Sequence, residues 1–410
     1  LLGIEALNAD LVMKVCLLNS FYFPVEPGGA ERSVRLLAES LVSAGHEVVV
    51  ICLGDERSSE SHNGVLIERL PIRNAYLQKP GEAAQAGAMG RLWWHVRDTK
   101  NAAAARDIRE VLVQHQVDVL HTNNIAGFSV AVWAAAKSLN IPVVHTTRDF
   151  YLLCPKTTMM RGEDQCAGQC ASCSLLSKRR ISASADVDRY VGISSYIARK
   201  HKRFGAFEGV AESVIYNSFP EQKPIPLPEE GAVIGYIGRL TPAKGVGLFI
   251  ETIERLVKMA PEAQISAVIA GKGEPEYENV LRERAADLPI RFLGEVKPAD
   301  FFSLCHVTAV PSLWEEPLGR VVIESMAYGR PVAVTPRGGL PELVDHRCGV
   351  VAADVTVSAF SAAVLQVVSM LQASPEAIFQ AAIESARKYR PELVAAEYVA
   401  AYDAALAAVS

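Results

Sequence analysis

The chain has 410 residues, a length that two domains of ordinary size fill better than one. Half of the residues are hydrophobic and 21% are charged, as in an ordinary globular protein. The net charge of -5 excludes a general nucleic-acid binder, which would be strongly basic, and no apolar run approaches the ~20 residues a membrane-spanning helix needs.

In chain order, residues 1–12 read as a leader, a tag remnant or a misplaced start. Met13-Lys14-Val15 reads as a natural beginning, because an apolar strand follows at once. No basic stretch precedes a long apolar one, so no secretory signal is expected. Eight cysteines without such a signal point to a reducing cytosol. Short apolar runs at 14–19, 47–53, 117–121, 142–147 and 189–192 predict strands buried on both faces. Amphipathic stretches of helical length, such as 30–44, lie between them. The segment 219–230 then carries four prolines in 12 residues and predicts an extended hinge. Beyond it the pattern repeats. Strands are expected at 232–237, 265–270, 290–292, 307–310 and 331–335, and helices at 246–259 and 321–328. Alternation of this kind gives a doubly wound parallel α/β sheet, here twice, with ligands outside the carboxyl ends of the strands.

Gly238-Arg239-Leu240-Thr241-Pro242-Ala243-Lys244-Gly245 follows the strand at 232–237 and puts two cations on a loop entering a helix. It is either a diphosphate clamp or a turn with two solvated cations. Gly271-Lys272-Gly273 follows the next strand, where two glycines would let a ligand approach the backbone. Glu316-Pro-Leu-Gly-Arg-Val-Val-Ile-Glu324 places one carboxylate on a loop and another about a turn into the following helix. Such a pair can grip hydroxyls at two ends of a polyol. The plainer alternative is one surface and one helix glutamate. Asp186-Val187-Asp188 spells an Asp-x-Asp metal motif, but a fold with its own diphosphate clamp does not need it.

Taken in order, these motifs resemble those of the retaining glycosyltransferase family 4, together with Gly28-Gly29-Ala30-Glu31-Arg32, Pro311-Ser312-Leu313-Trp314-Glu315, Glu324-Ser325-Met326-Ala327 and Gly338-Gly339-Leu340-Pro341-Glu342. The resemblance covers nearly all of the chain from Met13 onward. It implies the GT-B fold, two Rossmann-like domains facing across a cleft: an acceptor domain at 13–220 and a donor domain at 221–390. A terminal helix at 391–410 would cross back to the first.

It also implies roles at matching positions. Arg239 and Lys244 would stabilise the leaving diphosphate. Glu316 would hold hydroxyls of the donor sugar, and Glu324 the ribose. Amides near Leu318 and Gly319 would contact the sugar or the distal phosphate, with Gly238, Gly271 and Gly273 lining the donor site. Gly28 and Gly29 would close on the diphosphate from the first domain. No catalytic metal or other cofactor is implied beyond the nucleotide-sugar donor. The implied acceptor is a glycan or glycolipid, as in polysaccharide biosynthesis. The sequence departs from the family in one place. Asn123 stands where members often carry a His near the reacting sugar, so His121 or His145 would take part of that task, the plainer alternative being that both are hydrogen-bonded residues at strand ends. Rival readings are a nucleotide-sugar epimerase of the same fold and a non-catalytic glycan- or nucleotide-binding protein.

Two features lie outside this set. Cys154, Cys166, Cys170 and Cys173 fall within about 20 residues and could form a structural zinc site, with an iron–sulfur cluster or reduced thiols as alternatives. Trp93-Trp94 beside Arg91, Arg97 and Lys100, with basic runs at 178–180 and 199–203, suggests peripheral contact with an anionic membrane on its cytoplasmic face, the plainer alternative for each stretch being a solvated helix face.

Overall fold

The structure is a computed structural model that describes residues 12–26, 28–76, 87–162, 164–229, 231–261 and 264–409. The expected leader at 1–11 lies outside the described residues.

The described residues form two large sheets. The first contains β1 (Lys14–Leu18), β2 (Glu47–Gly54), β3 (Ser58–His62), β4 (Val65–Pro71), β5 (Val119–Thr122) and β6 (Val143–Thr147). A separate two-stranded ribbon, β7 (Met160–Arg161) and β8 (Asp164–Gln165), follows in the chain, and β9 (Arg189–Gly192) and β10 (Ala211–Val214) complete the first sheet. Its order is β10-β9-β6-β5-β1-β2-β4-β3, parallel throughout except for the β3–β4 pair. The second sheet contains β11 (Ala232–Ile237), β12 (Ile265–Ala270), β13 (Ile290–Gly294), β14 (Val307–Val310), β15 (Val332–Val334) and β16 (Gly349–Val351). Its order is β13-β12-β11-β14-β15-β16, all parallel. Both are mixed α/β layers, as the alternation predicts.

The central strands are the continuous apolar runs. β1 (Lys-Val-Cys-Leu-Leu) is buried from its second residue on, and β14 is buried throughout. Such strands have helices on both sides. In each sheet the order reverses beside the first strand, between β1 and β5 and between β11 and β14. At these points two adjacent loops leave the same sheet edge in opposite directions and open a crevice. The loops after β1 and β5 carry Gly28 and Asn123, and those after β11 and β14 carry Lys244 and Glu316.

The strands not foreseen are β3, β4, β10 and β16 of the two large sheets and the ribbon β7–β8. β3 is polar and almost wholly exposed, β10 is half polar with no buried residue, and β16 has three residues. The proline-rich segment has no regular structure but is not a free tether. The buried guanidinium of Arg330 donates to the carbonyls of Ile225 and Pro226 at 2.8 Å each, and Tyr328 OH donates to Gln222 Oε1 at 2.9 Å. This clamps 222–226 to the second sheet's layer and leaves bending to the residues before it.

The helix Pro391–Ala407 packs on the first sheet, where Tyr398 and Tyr402 join the core under β1 and β2. Among the described residues no single helix is long and apolar enough to cross a membrane.

Candidate functional site

On the second sheet, β11 runs into Gly238 and ends with a short turn at Pro242–Lys244. Gly245 then has φ +74, and a Cβ there would lie 1.8 Å from the Pro311 carbonyl oxygen, so only glycine brings this loop against the one after β14. Leu313 and Trp314 donate their amides to the Ala243 carbonyl at 3.0 Å each, which ties the two loops together. Lys244 Nζ consequently donates to Glu316 Oε1 at 2.5 Å, and Ser312 Oγ donates to the same oxygen at 2.8 Å. The Glu316 carboxylate is buried but doubly satisfied, and Lys244 also lies 5.2 Å from the centre of the Trp314 ring. Gly338, at φ +60, supports this glutamate from behind: a Cβ there would lie 2.1 Å from Glu316 O, and Gly339 N–H donates to that carbonyl at 2.8 Å.

Arg239 is exposed at the mouth of the same loop, with its carbonyl held by Tyr236 OH at 2.8 Å. Gly319 starts the helix Arg320–Ala327 in a left-handed conformation, with Leu318 buried before it. Glu324 lies one turn in and pairs with Arg320 at 3.1 Å. The donor-side candidates therefore occupy one crevice mouth. Gly271 and Gly273 admit the neighbouring loop. The space their side chains would fill is taken by the carbonyls of Gly238 and Leu240, at 1.8 and 2.1 Å from the Cβ positions. They let β12's loop support the clamp loop.

The first domain faces this site. Arg320 Nη1 donates to the Gly29 carbonyl at 3.1 Å, so the loop bearing Gly28 and Gly29 touches the helix that carries Glu324. Glu342 accepts the amides of Ser195 and Tyr196 at 2.7 and 2.6 Å, and Ser194 Oγ donates to Pro317 O at 2.5 Å. The loop bearing the cysteines also reaches across, with Trp314 Nε1 donating to Thr158 O at 2.8 Å.

Asn123 is buried beside Arg148. Its Oδ1 accepts from Arg148 Nε at 2.9 Å, while its Nδ2 has no partner among the described residues. Arg148 Nη1 donates to Asn217 Oδ1 at 2.6 Å. Asp149 follows on the same loop. Burial pushes its carboxyl up to about 6, opposed by the Tyr151 amide that it accepts at 2.8 Å. Burial also raises Glu31 above the ordinary carboxylate range, with a nearby backbone amide and Arg148 pulling the other way. Arg148, Asp149 and Glu31 were not foreseen as a group. They come from two separate loops, and no spacing rule joins them.

His121 requires a correction. It is fully buried, its Nδ1 lies 2.8 Å from Tyr402 OH and its Nε2 lies 2.7 Å from Thr146 Oγ1. Burial and the Arg148 cation hold its pKa well below the ordinary value. Both ring nitrogens serve the packing of the C-terminal helix, and neither reaches the cleft. His145 is also buried, bonded to Thr122 Oγ1 at 2.8 Å, and pushed down to about 3. Asp188 of the Asp-x-Asp sequence is structural too, accepting from Lys137 Nζ at 2.6 Å and from the Val143 amide at 2.8 Å.

The cysteines differ in setting. Cys154 is buried, Cys166 and Cys173 are half-buried, and Cys170 is exposed at the start of the helix Ala171–Ala183. Cys173 has the Cys154 and Cys170 thiols beside it. Among the described residues no three His, Cys, Asp or Glu side chains form a group able to hold a metal ion, and Cys170 donates or accepts a contact with Ser172 Oγ at 3.2 Å instead. Backbone and hydroxyl contacts at the helix start lower Cys170 to about 7.

Residues 27–222 match the family described as Glycosyltransferase Family 4, and 231–370 match Glycosyl transferases group 1. The chain is 33% identical over 334 residues to an uncharacterized 42.6 kDa protein in the cps region of Klebsiella pneumoniae, covering 81% of this chain and 87% of that one. It belongs to glycosyltransferase family 4. As a family member it is 25% identical to the phosphatidyl-myo-inositol mannosyltransferase of Mycolicibacterium smegmatis, over 79% of this chain and 76% of that one. Its fold is that of GT-B glycosyltransferases. The structure of Anabaena Alr3699/HepE in complex with UDP-glucose superposes with a TM-score of 0.66, at 18% identity over 95% of this chain and 99% of that one.

Proposed function

We propose that this family 4 glycosyltransferase moves a sugar from a nucleotide-diphosphate sugar to a glycan or lipid-linked acceptor with retention at the anomeric carbon. The observation that carries the reading is the meeting of Lys244 and Glu316 at 2.5 Å where the order of the second sheet reverses, with Arg239 and Glu324 at the same mouth. A cation and a carboxylate held side by side suit the junction between a diphosphate and a sugar. Lys244 and Arg239 meet the charge that grows on the leaving phosphate, which in this reading needs no metal. Glu316 accepts from sugar hydroxyls, and Glu324 from the ribose. The Gly29 loop closes over the diphosphate, while Asn123, with its free amide nitrogen, faces the acceptor side.

The UDP-glucose complex of the HepE neighbour supports a nucleotide-sugar donor. The phosphatidyl-myo-inositol mannosyltransferase relative supports a lipid-linked acceptor. The test is a thermal-shift screen of nucleotide sugars, then transfer to lipid-linked and free oligosaccharides, with the product's anomeric configuration read by NMR. Stabilisation by one donor and a product of unchanged configuration are expected. An inverted product, or release of an isomerised nucleotide sugar without acceptor, would overturn the reading.

A further inference from the structure

The helix Ala88–Arg97 carries an apolar face that nothing among the described residues covers. Met89, Leu92, Trp93 and Val96 are 86%, 56%, 56% and 45% exposed. Their spacing, i, i+3, i+4 and i+7, puts them on one side of the helix. The neighbouring Trp94 points the other way, buried, with Nε1 donating to Tyr76 O at 3.0 Å. The tryptophan pair thus has one ring for the core and one for the outside. Four large side chains on one outward stripe form a contiguous patch of the kind that marks an interaction surface.

The surroundings select the partner. Just past this helix, Asp98 forms a fully buried ion pair with Arg180 at 3.0 Å, and Tyr151 OH also donates to Asp98. That pair fixes the helix Ala171–Ala183 beside the end of the helix Ala88–Arg97. Neither helix contains an acidic residue. The second helix adds an exposed leucine, Leu175 (77%), with Lys178 and Arg179 exposed a turn later. Arg97 and Lys100 are exposed at the end of the first. An apolar stripe with cations at its end and on the adjoining helix, and no carboxylate in either helix, is the pattern of a helix lying in a lipid interface. Arg97 and the lysines can reach the head groups while their stems lie along the apolar layer.

We propose that this face docks on an anionic phospholipid bilayer, with Met89, Leu92, Trp93 and Val96 in the acyl boundary and Arg97, Lys100, Lys178 and Arg179 on the head groups. The docked surface belongs to the first domain, which also carries Asn123 and Arg148, so docking would present the acceptor side of the cleft to the membrane. The surface itself does not depend on the activity: lipid binding is read whether or not sugar is transferred.

The experiment floats the full chain with phosphatidylglycerol–phosphatidylcholine vesicles and with pure phosphatidylcholine vesicles, at low and high salt. Flotation with the anionic vesicles, weakened by salt, is expected. Lys178→Gln with Arg179→Gln, two exposed changes, should weaken binding about 25-fold, at roughly fivefold for each cation removed. Met89→Ser, Leu92→Ser, Trp93→Ser and Val96→Ser together should abolish it. Brominated lipid should quench the wild-type fluorescence and leave Trp93→Phe unquenched. Near-ultraviolet circular dichroism checks that each variant is folded; if the fourfold variant is not, the charge pair and Trp93→Phe carry the test. No flotation of the wild type at low salt overturns the proposal. So does equal flotation of wild type and folded variants, or self-association through this face, seen by sedimentation and lost in Trp93→Ser, without vesicle binding.

Discussion

Glu316→Gln separates the donor-site reading from a purely structural role for the Lys244–Glu316 pair. The carboxylate accepts from Lys244 Nζ at 2.5 Å and Ser312 Oγ at 2.8 Å, and only 8% of its side chain is exposed. Glutamine keeps the shape and one acceptor oxygen, but it removes the charge that draws a sugar hydroxyl. A hydrogen bond to a charged group contributes about 1.5–3 kcal/mol, so kcat/KM should fall roughly 10- to 150-fold. If the bond to the sugar strengthens as charge develops on the ring, the loss lies in kcat rather than KM. The fold should survive, because Ser312 and Lys244 still have an oxygen to reach, at a stability cost of about 1–3 kcal/mol. The assay pairs release of nucleoside diphosphate at saturating donor with thermal unfolding. A variant whose kcat/KM stays within about twofold of wild type while its stability drops would show that the pair holds the two loops together and does not touch the sugar.

Gly338→Ala should damage the same site without changing any charge. The residue sits at φ +60, and its Cβ would lie 2.1 Å from Glu316 O, so Glu316 must shift; donor affinity by calorimetry should fall about tenfold or more. His121→Gln should leave turnover within a few-fold of wild type but lower stability by about 1–3 kcal/mol, through the bonds to Tyr402 and Thr146. Because the folded state holds His121 neutral while the unfolded ring takes a proton below its ordinary 6.5, the wild type loses stability as pH falls through that value, and the Gln variant lacks this term. Denaturation at several pH values measures it, and a large kcat loss in His121→Gln would return the imidazole to the reaction. Arg180→Met should cost about 3–5 kcal/mol by leaving buried Asp98 without its cation. Burial already pushes Asp98 up to about 6, so the folded state gives up that proton at a cost as pH rises past its carboxyl's ordinary range. Without Arg180 the cost grows, and the deficit against wild type should be larger at alkaline than at acid pH.

The proposed donor side was legible because each of its parts is contiguous. A buried parallel strand shows as an apolar run, and the loop that follows it carries the chemistry, as in Gly238–Gly245 after β11 and Pro311–Gly319 after β14. Glycine was less transparent. Gly245 and Gly271 look alike after a strand, yet one closes against the loop of β14 and the other against the clamp loop itself. The proposed acceptor side was not legible, because its polar cluster is assembled over long separations. Arg148 binds Asn123 from 25 residues away and Asn217 from 69. His121 was misread for the same reason. The strand end is visible in the sequence, but the tyrosine that claims its Nδ1 arrives 281 residues later. Polar edge strands such as β3 and β10 escaped because they bury too little to leave an apolar pattern.

In the proposed reaction, the contacts across the cleft would bear on how water is kept from the transferred sugar. Glu342 accepts the two amides at the start of the helix Ser195–Arg203, where the helix N-terminus favours a carboxylate. Lys200 on that helix pairs with Glu315, next to Glu316. Arg320 reaches Gly29 from the opposite wall. Each of these bonds joins a first-domain helix to a residue of or adjoining the proposed donor-side set, so the walls meet through the same segments that hold Glu316 and Glu324. The proline-rich segment itself is clamped to the second domain by Arg330. Phe219 N–H, bonded to Tyr389 O at 2.8 Å, marks where both chain crossings lie side by side. Bending there would part Glu342 from Ser195 and Arg320 from Gly29 together. Donor entry would then be coupled to the loss of all these bonds, and their recovery would close the site against water before transfer.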